Sequence, residues 1–206
     1  MSKNIILSTA YLAPIQYFTK FVEYDKVIIE AHENFIKQTY RNRCKIYGAN
    51  GEISLSIPVK KSAPKTLIKE LQIDYDTNWR KLHWKSIESA YNSSPFFEYY
   101  IDDFLPFYTK KYKYLFDFNT ELLIMILENI DISTKIDFTE TFFNSEYEMD
   151  DFREQIHPKK KNIDKNFKII EYTQVFQSKH CFIPNLSIVD LLFNEGPNAS
   201  IILSEA

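Results

Sequence analysis

Only three glycines, Gly48, Gly51 and Gly196, occur in the 206 residues. A dinucleotide fingerprint and a P-loop each need several glycines close together, so both are excluded. The same scarcity removes the usual scaffold of a serine nucleophile elbow. Cysteine is scarcer still: Cys44 and Cys181 lie far apart and in no metal-ligand spacing, which reads as two reduced thiols. There is no HExxH and no Cys–His cluster, so neither a metal nor another cofactor is expected. No apolar run approaches the roughly 20 residues of a membrane span. Lys3 is followed only by Ile5-Ile6-Leu7 before Ser8-Thr9, unlike a signal peptide, so a cytoplasmic protein is expected. Net charge is small as well, with 25 basic against 28 acidic residues. Neither nucleic acid nor an anionic membrane is therefore an expected partner, and any anion site must be local.

What is present fits one globular domain spanning residues 1–206, with 45% hydrophobic and 26% charged residues. Asn4–Leu7 predicts a short buried strand. Pro14 fits a first helical turn, followed by Ile15, Phe18, Phe21 and Val22 at helical spacing. Val27–Glu30 predicts a second strand, and this strand–helix–strand start favours a right-handed parallel crossover. Tyr11 and the polar block of residues 32–43 would then emerge together at the C-terminal edge, where open α/β sheets bind ligands. That block holds His32, Glu33, Lys37, Gln38, Arg41, Asn42 and Arg43.

Residues 42–46 and 53–57 alternate with period two around Asn50-Gly51, which predicts a hairpin with Ile53, Leu55 and Ile57 on one face. Ile68–Ile73 reads as another strand. Thr77 is the expected cap of a helix carrying Trp79, Leu82, His83, Ile87, Ala90 and Tyr91 on one stripe. Ser94-Pro95 would start a second helix divided by Pro106, and Phe118–Ile130 a third. Lys135–Phe138 can return to the sheet. Residues 145–166 read as an exposed polar excursion, acidic and then basic at Lys159–Lys161. Asn185 or Ser187 would cap a short helix ended by Gly196-Pro197. The predicted fold is α/β: a small central mixed sheet with a parallel start, a β-hairpin near 42–58, and a helical middle segment over 77–130.

Several segments together resemble the WbqC-like family, its Bacteroidetes branch most closely. They are Tyr11 with Tyr17-Phe18, Lys37–Arg43 with Asn42-Arg43 at the core, and Ser56-Ile57-Pro58-Val59. Trp79, His83, Ile87 and Tyr91 before Pro95-Phe96-Phe97, and Leu186-Ser187-Ile188 with Asp190 before Asn194, complete the set. The resemblance covers most of the chain. It departs at the first loop, where the family's Gln-Pro-Asn-Tyr-Leu-Pro-Trp-Leu-Gly-Tyr-Phe-like motif is replaced by the stretch from Ser8 to Phe18. Such proteins are often encoded among genes for bacterial surface polysaccharide, and the resemblance implies transfer of glycine or another amino acid to a sugar.

The residue chemistry offers matching roles. Lys37, Arg41 and Arg43 can hold an anionic donor group, or instead pair with Glu30 or Glu33 at a charged sheet edge. Asn42, Tyr11, Tyr91 and Asp190 can orient a sugar or nucleotide-linked sugar. His83 is a candidate base, against its reading as a satisfied core histidine. His32, beside Glu33, is the second candidate, against a solvated loop histidine. The leading expectation is an acyl- or aminoacyl-type transferase. The alternatives are a noncatalytic nucleotide- or glycan-binding module and a structural member of an assembly complex.

Overall fold

In the computed structural model, which describes residues 3–61, 63, 65–144, 149–160 and 164–206, strand β1 (Asn4–Ser8) runs into helix α1 (Ile15–Glu23) and strand β2 (Lys26–Glu30). β1 and β2 pair in parallel from Asn4↔Lys26 to Ser8↔Glu30. Ile5, Ile6 and Leu7 are fully buried, as expected of a parallel strand covered on both faces. Helix α1 buries Phe18 and Phe21 and sends the Tyr17 hydroxyl back to the Ser8 carbonyl at 2.9 Å. That bond ties the helix to the C-terminal end of β1.

The hairpin is β3 (Arg43–Gly48) with β4 (Gly51–Ser56), in register from Arg43↔Ser56 to Gly48↔Gly51. Gly51 supplies the positive φ, +104°, that the turn requires. At Gly48 a Cβ would lie 2.1 Å from Cδ1 of Ile53, so a larger residue there would require that exposed side chain to shift. Leu55 and Ile57 are buried, whereas Ile53, at the hairpin tip beyond the core, is exposed.

Residues 68–73 do not form the expected strand. Ile68–Glu70 is a short 3₁₀ turn. Its surroundings distribute the backbone bonds among separate partners: Ile68 donates to Glu33, Ile73 to Lys113, and Gln72 accepts from Lys60. No single neighbour runs alongside for long enough to make a ladder.

Three helices then build the middle: α2 (Trp79–Tyr91), α3 (Phe97–Thr109) and α4 (Leu115–Asn129). Asn78, not Thr77, precedes α2, and no side chain caps it. Ser94 does not cap α3, because its hydroxyl turns back to the Tyr91 carbonyl at 2.6 Å and the helix begins two residues after Pro95. Pro106 lies within the last turn of α3 rather than dividing it, where a missing N–H costs only one bond near the end.

β5 (Lys135–Phe138) adds to β2, and β6 (Asp150–Asp151) adds to β1, both in parallel, giving the order β5-β2-β1-β6. The class is α/β, with parallel pairing in this sheet and antiparallel pairing in the two-stranded hairpin. Residues 145–148 and 161–163, including Lys161, lie outside the described residues; of the rest of the expected excursion, Asp150, Glu154, Lys159, Lys160, Lys165 and Asn166 are exposed, but two positions are buried. Ile156 and Asp164 are buried, and Asp164 meets the buried Lys20 at 2.6 Å. A polar sequence conceals this, because its charges find partners elsewhere in the fold: Asp164 on α1 through Lys20, and Arg153 on β2 through Glu30. After the one-turn α5 (Gln177–His180) come α6 (Ile188–Glu195), capped by Ser187, and α7 (Ala199–Glu205). Gly196 ends α6 at φ +53°. Among the described residues no helix is long and apolar enough to cross a membrane.

Candidate functional site

Helical spacing places His83 on the inner stripe of α2, where it is 2% exposed. Its Nδ1 lies 3.0 Å from the Tyr11 hydroxyl, which meets the Tyr108 hydroxyl at 2.9 Å. The imidazole also bonds to the Ser56 backbone. Burial lowers the His83 pKa to about 4, partly opposed by the Ser56 bond. With Trp79 edge-on and Tyr11 stacked, His83 is a neutral core imidazole joining α2, the hairpin and the first loop. Arg43 reaches the same Ser56 from outside, its Nε donating to Oγ at 3.0 Å. Asn42 spends its amide on the Ile57 carbonyl at 2.8 Å.

Tyr91 and Asp190 form a second buried group. Asp190 accepts from Tyr91 at 2.9 Å, Tyr172 at 2.5 Å and Gln174 at 2.8 Å. The Tyr91 hydroxyl in turn accepts from the Tyr47 amide at 3.1 Å. Burial pushes the Asp190 carboxyl up, against the three donors that favour its charged form. This group joins α2, α6 and β3 with its polar capacity already used.

A third group of ionisable side chains, mostly paired with one another, gathers at the C-terminal ends of β1, β2 and β6. Arg41 is 2% exposed and pairs bidentately with Glu33, through Nε–Oε1 at 2.8 Å and Nη2–Oε2 at 2.5 Å. Nη2 also reaches Ser8 at 2.8 Å and Glu154 at 2.9 Å. Burial raises the Glu33 carboxyl, with Arg41 opposing. Alongside, Arg153 grips Asp151 in a fork and donates to the fully buried Glu30 at 3.0 Å.

These pairs wall a cleft of about 430 Å³, lined by Glu33, Asn34, Ile36, Phe142, Arg153 and Glu154 among others. Ile36 and Phe142 are exposed within it, and the Arg153 guanidinium lies 5.0 Å over the Phe142 ring. An apolar platform ringed by fixed donors and acceptors suits a sugar ring, whose C–H face packs while its hydroxyls bond.

His32 directly precedes this lining and is half-buried. Its neighbour is not Glu33, which faces Arg41, but Thr139 at 3.4 Å and Lys69 at 2.6 Å. Lys37, after Ile36, is exposed and makes no ion pair or hydrogen bond among the described residues. The expected cations therefore separate: Arg41 is internally paired, Arg43 braces the hairpin, and Lys37 is exposed next to the lining residue Ile36. Among the described residues no three His, Cys, Asp or Glu side chains are placed to hold a metal ion.

Family comparison covers nearly the whole molecule, matching residues 9–158 and 150–202 to the WbqC-like protein family. The chain belongs to this family. It is also similar to an uncharacterized protein of Mycobacterium tuberculosis, 30% identical over 138 residues. That match takes in 66% of this chain and 59% of the relative, so the chain spans under two thirds of that protein's length. No solved structure matches.

In this WbqC-like chain, sequence reading offered Glu30 only as an ion-pair partner for the nearby cations, when its partner is Arg153, and missed Lys69, Thr139 and Arg153. Glu30 was legible as a strand-end carboxylate, a usual place for a polar site residue. The other three carry no local signal, since they reach Glu30 or His32 from segments 37 or more residues away.

Proposed function

We propose that this WbqC-like protein binds a sugar or nucleotide-linked sugar in the cleft beside Arg153 and transfers an acyl or aminoacyl group to it, in the making of bacterial surface polysaccharide. The cleft itself carries the reading: about 430 Å³ at the C-terminal ends of parallel strands, with an aromatic platform and fixed polar walls. His32 is the base in this scheme. His83, sealed beneath Tyr11, instead holds the first loop in place. Lys37, exposed next to the lining residue Ile36, serves the anionic donor group in this scheme.

The test is binding and turnover with nucleotide sugars and activated amino acids, using Ile36→Trp to fill the cleft and Phe142→Ala to remove the platform. Neither change breaks a buried ion pair, so both variants fold. Each is expected to weaken sugar binding roughly tenfold or more. Unchanged binding in both would place the ligand elsewhere. A second reading, a noncatalytic glycan- or nucleotide-binding module, draws on the pairing of Glu30, Glu33, Arg41 and Arg153 with one another or with near neighbours. Tight binding without any turnover would select it.

A further inference from the structure

Four side chains beside the cleft form a directional chain that the transfer reaction alone does not explain. Glu30, fully buried, receives four donors: the His32 amide at 2.8 Å and the Thr139 hydroxyl at 2.6 Å on Oε1, the Phe143 amide and Arg153 at 3.0 Å each on Oε2. A carboxylate so surrounded is a pure acceptor, so the single proton of Thr139 is committed to it. The Thr139 oxygen also accepts from the Ala31 amide at 3.0 Å. Towards His32 Nδ1, 3.4 Å away, this oxygen has only a lone pair to offer. Nδ1 must therefore carry the imidazole proton, which leaves the lone pair on Nε2.

That lone pair is covered. Lys69 Nζ lies 2.6 Å from Nε2, and since an ammonium only donates, the contact fits a neutral imidazole accepting from Lys69. Two cations at this separation would repel strongly, so the pair holds one positive charge. Lys69 is half-buried beside the segment that frames the cleft: Ile68 donates to Glu33 at 2.8 Å, and Phe35 to Thr66 at 3.0 Å.

We propose that Lys69 is an anion-binding residue that also covers the base of the site. A phosphate or carboxylate group drawing its ammonium away exposes Nε2 of His32, while Glu30 and Thr139 act as positioning residues that fix the tautomer. The proposal rests on the cleft reading above and names the ligand feature that readies it. Without an anion Nε2 is occupied and cannot take a proton. With one bound, Nε2 is free to accept the proton of an attacking hydroxyl or amine, becoming imidazolium.

The test is nitrogen NMR of the full chain labelled at histidine, titrated separately with inorganic phosphate and with acetate. In the free protein His32 is expected to show a protonated Nδ1 and an unprotonated, hydrogen-bonded Nε2. Thr139→Val should lose this tautomer preference and Thr139→Ser should restore it. Phosphate, acetate or both should shift Nε2 towards its free position, and the more effective anion identifies the group recognised. Lys69→Met should keep the tautomer, show a free Nε2 from the start, and weaken anion binding roughly tenfold. An Nε2-protonated His32 in the free protein would overturn the proposal, as would no response to either anion or an undiminished response in Lys69→Met. None of these readouts depends on turnover, so a failed transferase assay and a failed relay are separate results.

Discussion

The Tyr11 hydroxyl stands 3.0 Å from Nδ1 of His83, inside the protein and away from the cleft. The contact joins the first loop to α2, so the loop's position depends on a neutral imidazole. His83 in the folded chain has a pKa of about 4, against about 6.5 for an unfolded histidine. The unfolded state therefore binds the extra proton first. Stability from this group is complete above about pH 6.5 and is lost as pH falls towards 4.

Between pH 7 and pH 5 that loss is about 2 kcal/mol. Urea denaturation of wild type and His83→Gln at both pH values checks it. The difference between the chains isolates His83 from the buried acids Glu33 and Asp190, whose raised pKa values act in the opposite direction. Equal pH dependence in the two chains would show that His83 does not titrate as a buried group.

Arg41 distinguishes a structural from a ligand-binding guanidinium. Removing it leaves Glu33 buried without its cation, and Arg41→Ala should cost about 3–5 kcal/mol. Arg41→Met with Glu33→Leu should recover much of that, because the pair is replaced by apolar contact. Thermal unfolding of both reads the result. An Arg41→Ala chain as stable as wild type would return Arg41 to the list of ligand-binding residues.

Asp190 organises three donors, so its loss strands Tyr91, Tyr172 and Gln174 together. Asp190→Ala should cost about 3 kcal/mol or more, and Asp190→Asn, which keeps one acceptor in place, about half as much. Denaturant midpoints measure both. Near-neutral stability of Asp190→Ala would mean that solvent reaches these groups.

Gly196→Ala tests the end of α6. The residue sits at φ +53°, and a Cβ would stand 2.5 Å from the Phe96 ring. A loss of about 1–3 kcal/mol is expected in a thermal melt. No loss would show that Phe96 can move aside.

Much of the fold is legible locally. The β1–α1–β2 start, the hairpin and the three middle helices follow from periodicity and turn residues, because these depend on neighbours a few positions apart. The segment at 68–73 was misread because apolar residues in a short run look alike whether they pair with one strand or dock singly on several elements. His32 stood out from its place after β2, but its partner did not: adjacency suggested Glu33, whereas folding turns Glu33 to Arg41 and gives His32 to Thr139 and Lys69.

The sequence by itself determined the α/β class, the family, the existence of a hairpin near 42–58 and the gathering of polar groups after β2, while the register closes one residue earlier than Asn50-Gly51, with Gly48 paired to Gly51. Only the tertiary structure decided which charges are internal braces and which are left unpaired in solvent. Residue type sets what a side chain can donate or accept, but burial and the partner across the fold set whether that capacity is already used. Arg41 and Lys37 are four positions apart in one polar block, and one is locked against Glu33 while the other is exposed and unpaired among the described residues.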